Sequence, residues 1–257
     1  MRFSFIVPCF NEAENVTKLH DELLPVIETS VILGSQITEN QNNSAELIFV
    51  DDGSVDGTLS KIKDKFGSGS VSGIAFLYLR HNTNLGLGAA LRTGFSNANG
   101  DVIVTMDSDG TYEFSCIPEL LSLLTPEVDI VTASPYHKFG RVVGVPAHRL
   151  FLSKGSSLLY RVLLDWHIYT YTCLFRAYRS SVIENIAFSS NDFLAGTEIL
   201  VKAILQGWHV AEYPAVLHKR QYGVSKAKIA KTVFSHLRFQ VWILLHRVQL
   251  RMGFAAK

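Results

Sequence analysis

The sequence predicts an α/β fold, a mostly parallel sheet flanked by helices, and two observations carry the prediction. Short apolar runs alternate with helix-length amphipathic stretches over roughly the first half of the chain. Two acidic pairs, Asp51-Asp52 and Asp107/Asp109, each stand just after such a run. In parallel sheets, ligands sit beyond the carboxyl ends of the strands, so both pairs fall on the rim where a ligand would lie.

The elements follow in order. Phe3 to Val7, ended by Pro8, reads as a buried strand. Asn11 caps a helix through Glu12, Glu14, Val16, Leu19, Leu23 and Leu24, with acids in its first turn. Ser35 to Ser44 is polar and aperiodic, a loop. Glu46 to Val50 is a second strand, Thr58 to Phe66 a short helix, and Ile74 to Leu79 a third strand. Gly67 to Ser70 is a surface turn between them. Leu85 to Asn97 is a helix, Val102 to Met106 a fourth strand, Pro118 to Leu124 a helix, and Asp129 to Ala133 a fifth strand. Beyond Ser134, Arg149 to Leu164 is helical and Thr172 to Arg179 is a candidate strand returning to the sheet. Leu194 to Gln206 is a helix closed by Gly207, and from Lys226 onward the chain is a basic, aromatic-rich helical stretch. There are no repeats and no long linker. The expected division is one α/β domain over 1–225 and a C-terminal amphipathic extension over 226–257.

Composition narrows the function classes. The 257 residues are 47% hydrophobic and 18% charged, a globular balance, and a net charge of +1 gives no global field toward nucleic acid. Cys9, Cys116 and Cys173 are scattered without C-x-x-C spacing, which argues against structural zinc and a disulfide framework and fits a reducing compartment. Met1 to Pro8 has no signal-peptide character, and no apolar run reaches the roughly 18 residues of a membrane span. The expected location is cytoplasmic.

Asp107-Ser108-Asp109 holds the chemistry. Two carboxylates one residue apart at a strand end can share one hard cation whose remaining shell is phosphate oxygen and water. A plain solvated turn is the competing reading, since Asp and Gly are turn residues. Asp51-Asp52-Gly53-Ser54-Val55-Asp56-Gly57-Thr58 supplies the context. Asp51 and Asp52 suit acceptance of hydrogen bonds from a base or ribose, whereas Asp56 and Thr58 suit capping of the next helix.

Four segments, in this order, resemble the family 2 inverting glycosyltransferases of the GT-A fold. They are Ile6 to Glu12, Val50 to Thr58, Asn84-Leu85-Gly86 with Gly94, and Asp107-Ser108-Asp109. Within that family the chain is similar to the polyprenol-phosphate mannosyltransferases, the dolichol-phosphate mannose synthase type. That similarity rests on Arg149 with Ser153, Tyr171 to Arg176, and Lys219 to Lys226. The resemblance implies that Pro8, Phe10, Glu12, Asp51 and Asp52 hold the nucleoside of a GDP- or UDP-hexose. It implies that Asp107, Ser108 and Asp109 meet the donor, the two aspartates holding Mg²⁺ or Mn²⁺. Arg149, Arg220 and Lys226 would meet the donor diphosphate or a polyprenyl phosphate acceptor. The synthases carry Asp-Ala-Asp-Leu-Gln, whose Gln assists at the metal; here that position is Thr111.

Three features keep two readings each. His218, Lys219, Arg220, Lys226 and Lys228 around Gly223 make either a loop that closes over a diphosphate or a solvated surface. Lys231 to Met252 mixes aromatics with cations, suiting peripheral contact with a membrane interface or packing on a second subunit of a homo-oligomer. Glu198 is either a catalytic base for a sugar or protein hydroxyl acceptor or a helix-start acid; an ionised lipid phosphate needs no base. A non-catalytic nucleotide-sugar-binding subunit is the reading from another class, and the intact aspartate pair argues against it.

Overall fold

The computed structural model describes residues 1–30, 44–71, 73–223 and 229–251. The loop expected before residue 44 therefore lies almost wholly outside the described residues, as do Lys226 and Lys228. Strands β1 (Arg2–Cys9), β2 (Ser44–Asp51), β4 (Ile74–Arg80) and β5 (Val102–Thr105) form the parallel heart of the sheet. The short β3 (Ser70–Val71) lies antiparallel on β4, so the expected turn at Gly67 to Ser70 runs into a strand. β6 (Ile130–Ser134), β8 (Arg176–Arg179) and β9 (Val210–Pro214) extend the other side, giving the order β3-β4-β2-β1-β5-β8-β6-β9. The strand expected over Thr172 to Arg179 is thus shortened to its last four residues and runs antiparallel to both neighbours.

Side-chain alternation explains the layering. Phe5, Val7, Leu47 and Phe49 face one layer, made by a first helix and by α2 (Thr58–Phe66). That first helix, α1, starts at Val16–Lys18, passes through a π-helical stretch at Leu19–Leu23 and continues over 24–30. It begins later than Asn11 because Asn11 adopts φ 53°, a left-handed conformation incompatible with helix. Ile6, Ile48 and Val50 face the other layer, against Ala90 of α3 (Leu87–Asn97). A Cβ at Gly94 would stand 2.5 Å from Ile6 Cγ2, so only glycine lets α3 approach this closely.

The remaining helices are α4 (Ile117–Ser122), α5 (Ala147–Leu163), α6 (Ser180–Asn185), α7 (Ala195–Leu205) and α8 (Ile229–Arg251). α8 buries Phe239 and Ile243 beside Tyr160 of α5 in a second core. Full burial of such side chains stabilises by about 1.5–3 kcal/mol each, so this contact anchors the helix. Two further strands, β7 (Arg141–Val143) and β10 (Val216–His218), pair in parallel as a separate ribbon. Its neighbour is the turn after β5, through a bridge between Tyr112 and Leu217.

Candidate active site

Within the eight-stranded sheet all strands but β3 and β8 point the same way, so their carboxyl ends share one rim. The strand order reverses between β1 and β5, and there the segments Pro8 to Glu12 and Asp107 to Asp109 meet across a crevice. The crevice opens into a cavity of about 1010 Å³. Pro8, Phe10, Glu12, Asp52, Asp107, Ser108, Asp109, Arg149 and Arg220 all line it; Asp51 and Glu198 do not.

The first loop is braced from below. Ser54 Oγ accepts from Asn11 N–H at 2.9 Å, and Asn11 Oδ1 accepts from Val55 N–H at 2.9 Å. Thr58 Oγ1 accepts from Glu12 N–H at 2.8 Å, and Asp56 receives Ala13 N–H and Thr58 N–H. Asp56 and Thr58 are therefore structural pins between two strand-end loops; the cap of the helix itself falls on Gly57, without a side-chain cap bond, rather than on either of them as expected.

Asp51 and Asp52 diverge. Asp52 accepts from His81 Nδ1 (2.7 Å) and Leu85 N–H (2.9 Å) on one oxygen, and from Asn84 Nδ2 and Gly86 N–H (both 2.8 Å) on the other. With these four donors it shapes the loop before α3, and it lines the cavity as well. That loop also needs Gly86, whose φ is 98° and where a Cβ would lie 2.1 Å from Asn191 O. Asp51 is fully buried; Oδ1 takes Ser54 N–H at 3.0 Å, and Arg80 Nε stands 3.4 Å from Oδ2. Among the described residues Oδ2 has no hydrogen-bond donor, so it keeps an acceptor to offer.

At the crevice floor, burial and the neighbouring Asp109 charge push the Asp107 carboxyl up to about 7, against the pull of Arg220. Burial likewise raises Glu12, again opposed by Arg220. Two carboxylates crowded in a poorly solvated crevice are what a hard cation relieves. Among the described residues no cluster of three or more acidic, histidine or cysteine side chains surrounds them. The donor set thus suits Mg²⁺ or Mn²⁺ completed by phosphate and water, since Mg²⁺ commonly takes one or two carboxylates plus substrate phosphates. At the Thr111 position, which lines the cavity, the backbone braces the aspartate turn. Thr111 N–H donates to Asp109 Oδ1 at 3.0 Å, and Thr111 O accepts from His218 N–H at 2.8 Å.

Arg149, in the first turn of α5, is exposed and lines the cavity. His148, Lys219 and Lys231 join it there; His148 and Lys231 belong to no motif that would have singled them out in the sequence. Arg220 pairs with both Glu12 and Asp109. Arg176 proves structural: fully buried, it donates to Thr132 Oγ1 (3.0 Å), Tyr171 O (2.7 Å) and Gly196 O.

Glu198, the candidate base, lies outside the cavity lining. Its carboxylate pairs with Lys202 Nζ at 2.7 Å and accepts N–H bonds from Ser189 and Ser190. Burial pushes its proton affinity up, but these donors outweigh burial and hold it below the ordinary glutamate range. Outside the cavity lining and engaged by three donors, it is poorly placed to take a proton from an acceptor there.

A second, largely apolar cleft of about 500 Å³ lies between α5 and α8. It is lined by Phe151, Leu152, Leu159, Val233 and Leu237, and shares Asp107, Arg149, Ser153 and Thr172 with the first cavity.

A family model described as glycosyl transferase family 2 matches residues 4–187. The dolichol-phosphate mannosyltransferase of Pyrococcus furiosus is 32% identical over 240 residues, 93% of this chain; the match spans 62% of that protein's length. The polyprenol monophosphomannose synthase of Mycolicibacterium smegmatis is 32% identical over 228 residues, 86% of this chain and 79% of that one. Among solved structures, glucosyl-3-phosphoglycerate synthase from Mycobacterium tuberculosis, with Mn²⁺, UDP and glucosyl-3-phosphoglycerate, has a TM-score of 0.60 at 18% identity. It covers 96% of this chain and 79% of its own. A mannosyltransferase from Pyrobaculum calidifontis, with GDP-Man and Mn²⁺, gives 0.56 at 19% identity, over 88% of this chain and 58% of its own.

Proposed function

As the chain belongs to glycosyltransferase family 2, we propose that it transfers a hexose from a GDP- or UDP-sugar to a polyprenyl phosphate with inversion. The names of the two relatives favour mannose. The observation that carries the lipid acceptor is the apolar cleft between α5 and α8, which meets the acidic cavity at Asp107 and Arg149. An acceptor with a phosphate head and a hydrocarbon tail matches that junction: Arg149 offers the head a cation, and Phe151, Leu159 and Leu237 offer the tail an apolar wall. The commitment of Glu198 elsewhere supports the same choice, because a phosphate oxygen attacks without losing a proton.

Asp107 and Asp109 would hold Mg²⁺ or Mn²⁺, which when bound offsets the charge of the departing diphosphate. Pro8, Phe10, Glu12 and Asp52, which line the cavity, would stand against the nucleoside, with Asp51 buried behind them. Arg149 would orient the acceptor phosphate, and Arg220, with Lys226, would meet charge developing on the leaving group. The exposed apolar side chains of α5 and α8, Phe151, Val162, Phe234 and Leu245 among them, suit a helix pair resting at a membrane interface.

Radiolabelled GDP-mannose and UDP-glucose, each with Mn²⁺ and a short polyprenyl phosphate, test the reading. Label is expected in the organic-soluble product with one donor. Asp107→Ala and Asp109→Ala are expected to cut that transfer by on the order of 100-fold or more. Label confined to water-soluble products would sink the lipid acceptor.

A further inference from the structure

The acidic crevice already contains a cation of its own. Arg220 Nε stands 3.0 Å from Asp109 Oδ2, and a terminal nitrogen of the same guanidinium donates to Glu12 Oε1. The Arg220 side chain is 14% exposed, so solvent screens these contacts little. The segment that carries it is fastened to the aspartate turn: His218 N–H donates to Thr111 O, and Lys18 Nζ reaches Gly110 O (3.4 Å) and Gln221 Oε1 (3.3 Å). Asp109 Oδ1 is engaged by Thr111 N–H, which leaves Oδ2 as the oxygen that faces the guanidinium.

A divalent ion shared by Asp107 and Asp109 needs the carboxylate that Arg220 now neutralises, and two positive charges compete for it. We infer that Arg220 is a resident counter-cation, holding Asp109 and Glu12 in the donor-free protein. It releases Asp109 to the metal when a diphosphate gives the guanidinium another anion. The inference rests on reading Asp107 and Asp109 as the metal site and adds what governs loading. Metal alone faces a competitor; metal arriving with a diphosphate does not. The two ligands therefore bind with positive coupling, part of which resides in this one side chain.

Titration of free Mn²⁺ by electron paramagnetic resonance, on the full chain alone and with GDP or UDP, tests this for wild type, Arg220→Gln and Arg220→Lys. Arg220→Gln is expected to bind Mn²⁺ alone about 10-fold tighter and the nucleoside diphosphate with Mn²⁺ more weakly, so that the coupling factor falls toward one. Arg220→Lys keeps the charge but cannot span both carboxylates, and should shift Mn²⁺ affinity in the same direction by less. Opposite signs in one variant separate this role from a scaffold role, which would weaken both. Unchanged or weaker binding of Mn²⁺ alone by both variants overturns the inference. If the wild type binds no Mn²⁺ even with GDP or UDP, the metal reading itself fails, and this inference with it.

Discussion

The carboxyl groups of Asp52, Asp107, Asp109 and Glu198 are chemically alike and have different occupations, set by their neighbours. Asp52 is saturated by backbone and side-chain donors, Glu198 by Lys202 and two amides, whereas Asp107 has its proton affinity raised toward neutrality. This predicts that Glu198→Gln leaves the rate of transfer within about 3-fold of wild type. It should nevertheless lower stability by roughly 1–3 kcal/mol, since it strips a charge from a buried hydrogen-bonded pair. Steady-state assay beside urea denaturation checks both; loss of turnover with unchanged stability would restore Glu198 as a base. The aspartate turn was legible in sequence because both of its acids sit within three residues at the end of an apolar run. The pair Arg220–Glu12 was not, because its partners are 208 residues apart and meet only through the β7–β10 ribbon.

At the scale of elements, the contact between α5 and α8 contains a titrating group. His236 is buried beside Tyr160, whose hydroxyl lies 3.0 Å from His236 Nδ1, and Ser235 ties the same turn to Asp192 at 2.7 Å. Burial, partly offset by Asp192, lowers the His236 imidazole to about 4. Its folded-state proton affinity is below the unfolded value, so the unfolded chain binds the proton first. The stabilisation is complete above about pH 6.5 and is lost as pH falls toward 4. The full effect is worth up to about 3 kcal/mol. Denaturation profiles at stepped pH should show a shallower decline over that window for His236→Gln than for wild type; parallel declines would remove His236 as the cause. Elements with continuous apolar runs, β1, β2 and β5, declared themselves in sequence because strands buried on both faces read that way. β7, β9 and β10 did not, being three to five residues long and nowhere fully buried. The antiparallel entry of β8 is a matter of topology, which no local pattern encodes.

For the whole molecule, the distribution of apolar surface is uneven. Phe151, Leu159, Val162, Phe234, Leu237, Val241, Leu244 and Leu245 are exposed on just two helices, while no helix among the described residues is long and apolar enough to cross a membrane. Exposed apolar surface on that scale marks an interaction face. The protein is expected to float with liposomes, and Val162→Ser with Phe234→Ser to reduce the bound fraction several-fold while turnover on a water-soluble short-chain acceptor persists. Dimerisation without flotation would assign the face to a second subunit.

The pairing of Arg220 with Glu12 has a temporal side. Ribosomes add about 5–20 residues per second, so about 10–40 s separate the birth of Glu12 from that of its counter-ion. Through that interval the first strands can assemble, yet Glu12 and Asp109 lack the guanidinium that pairs with them in the finished fold. This part of the rim therefore gains its guanidinium only when the β7–β10 ribbon has been made, and the ribbon is the clasp that completes it.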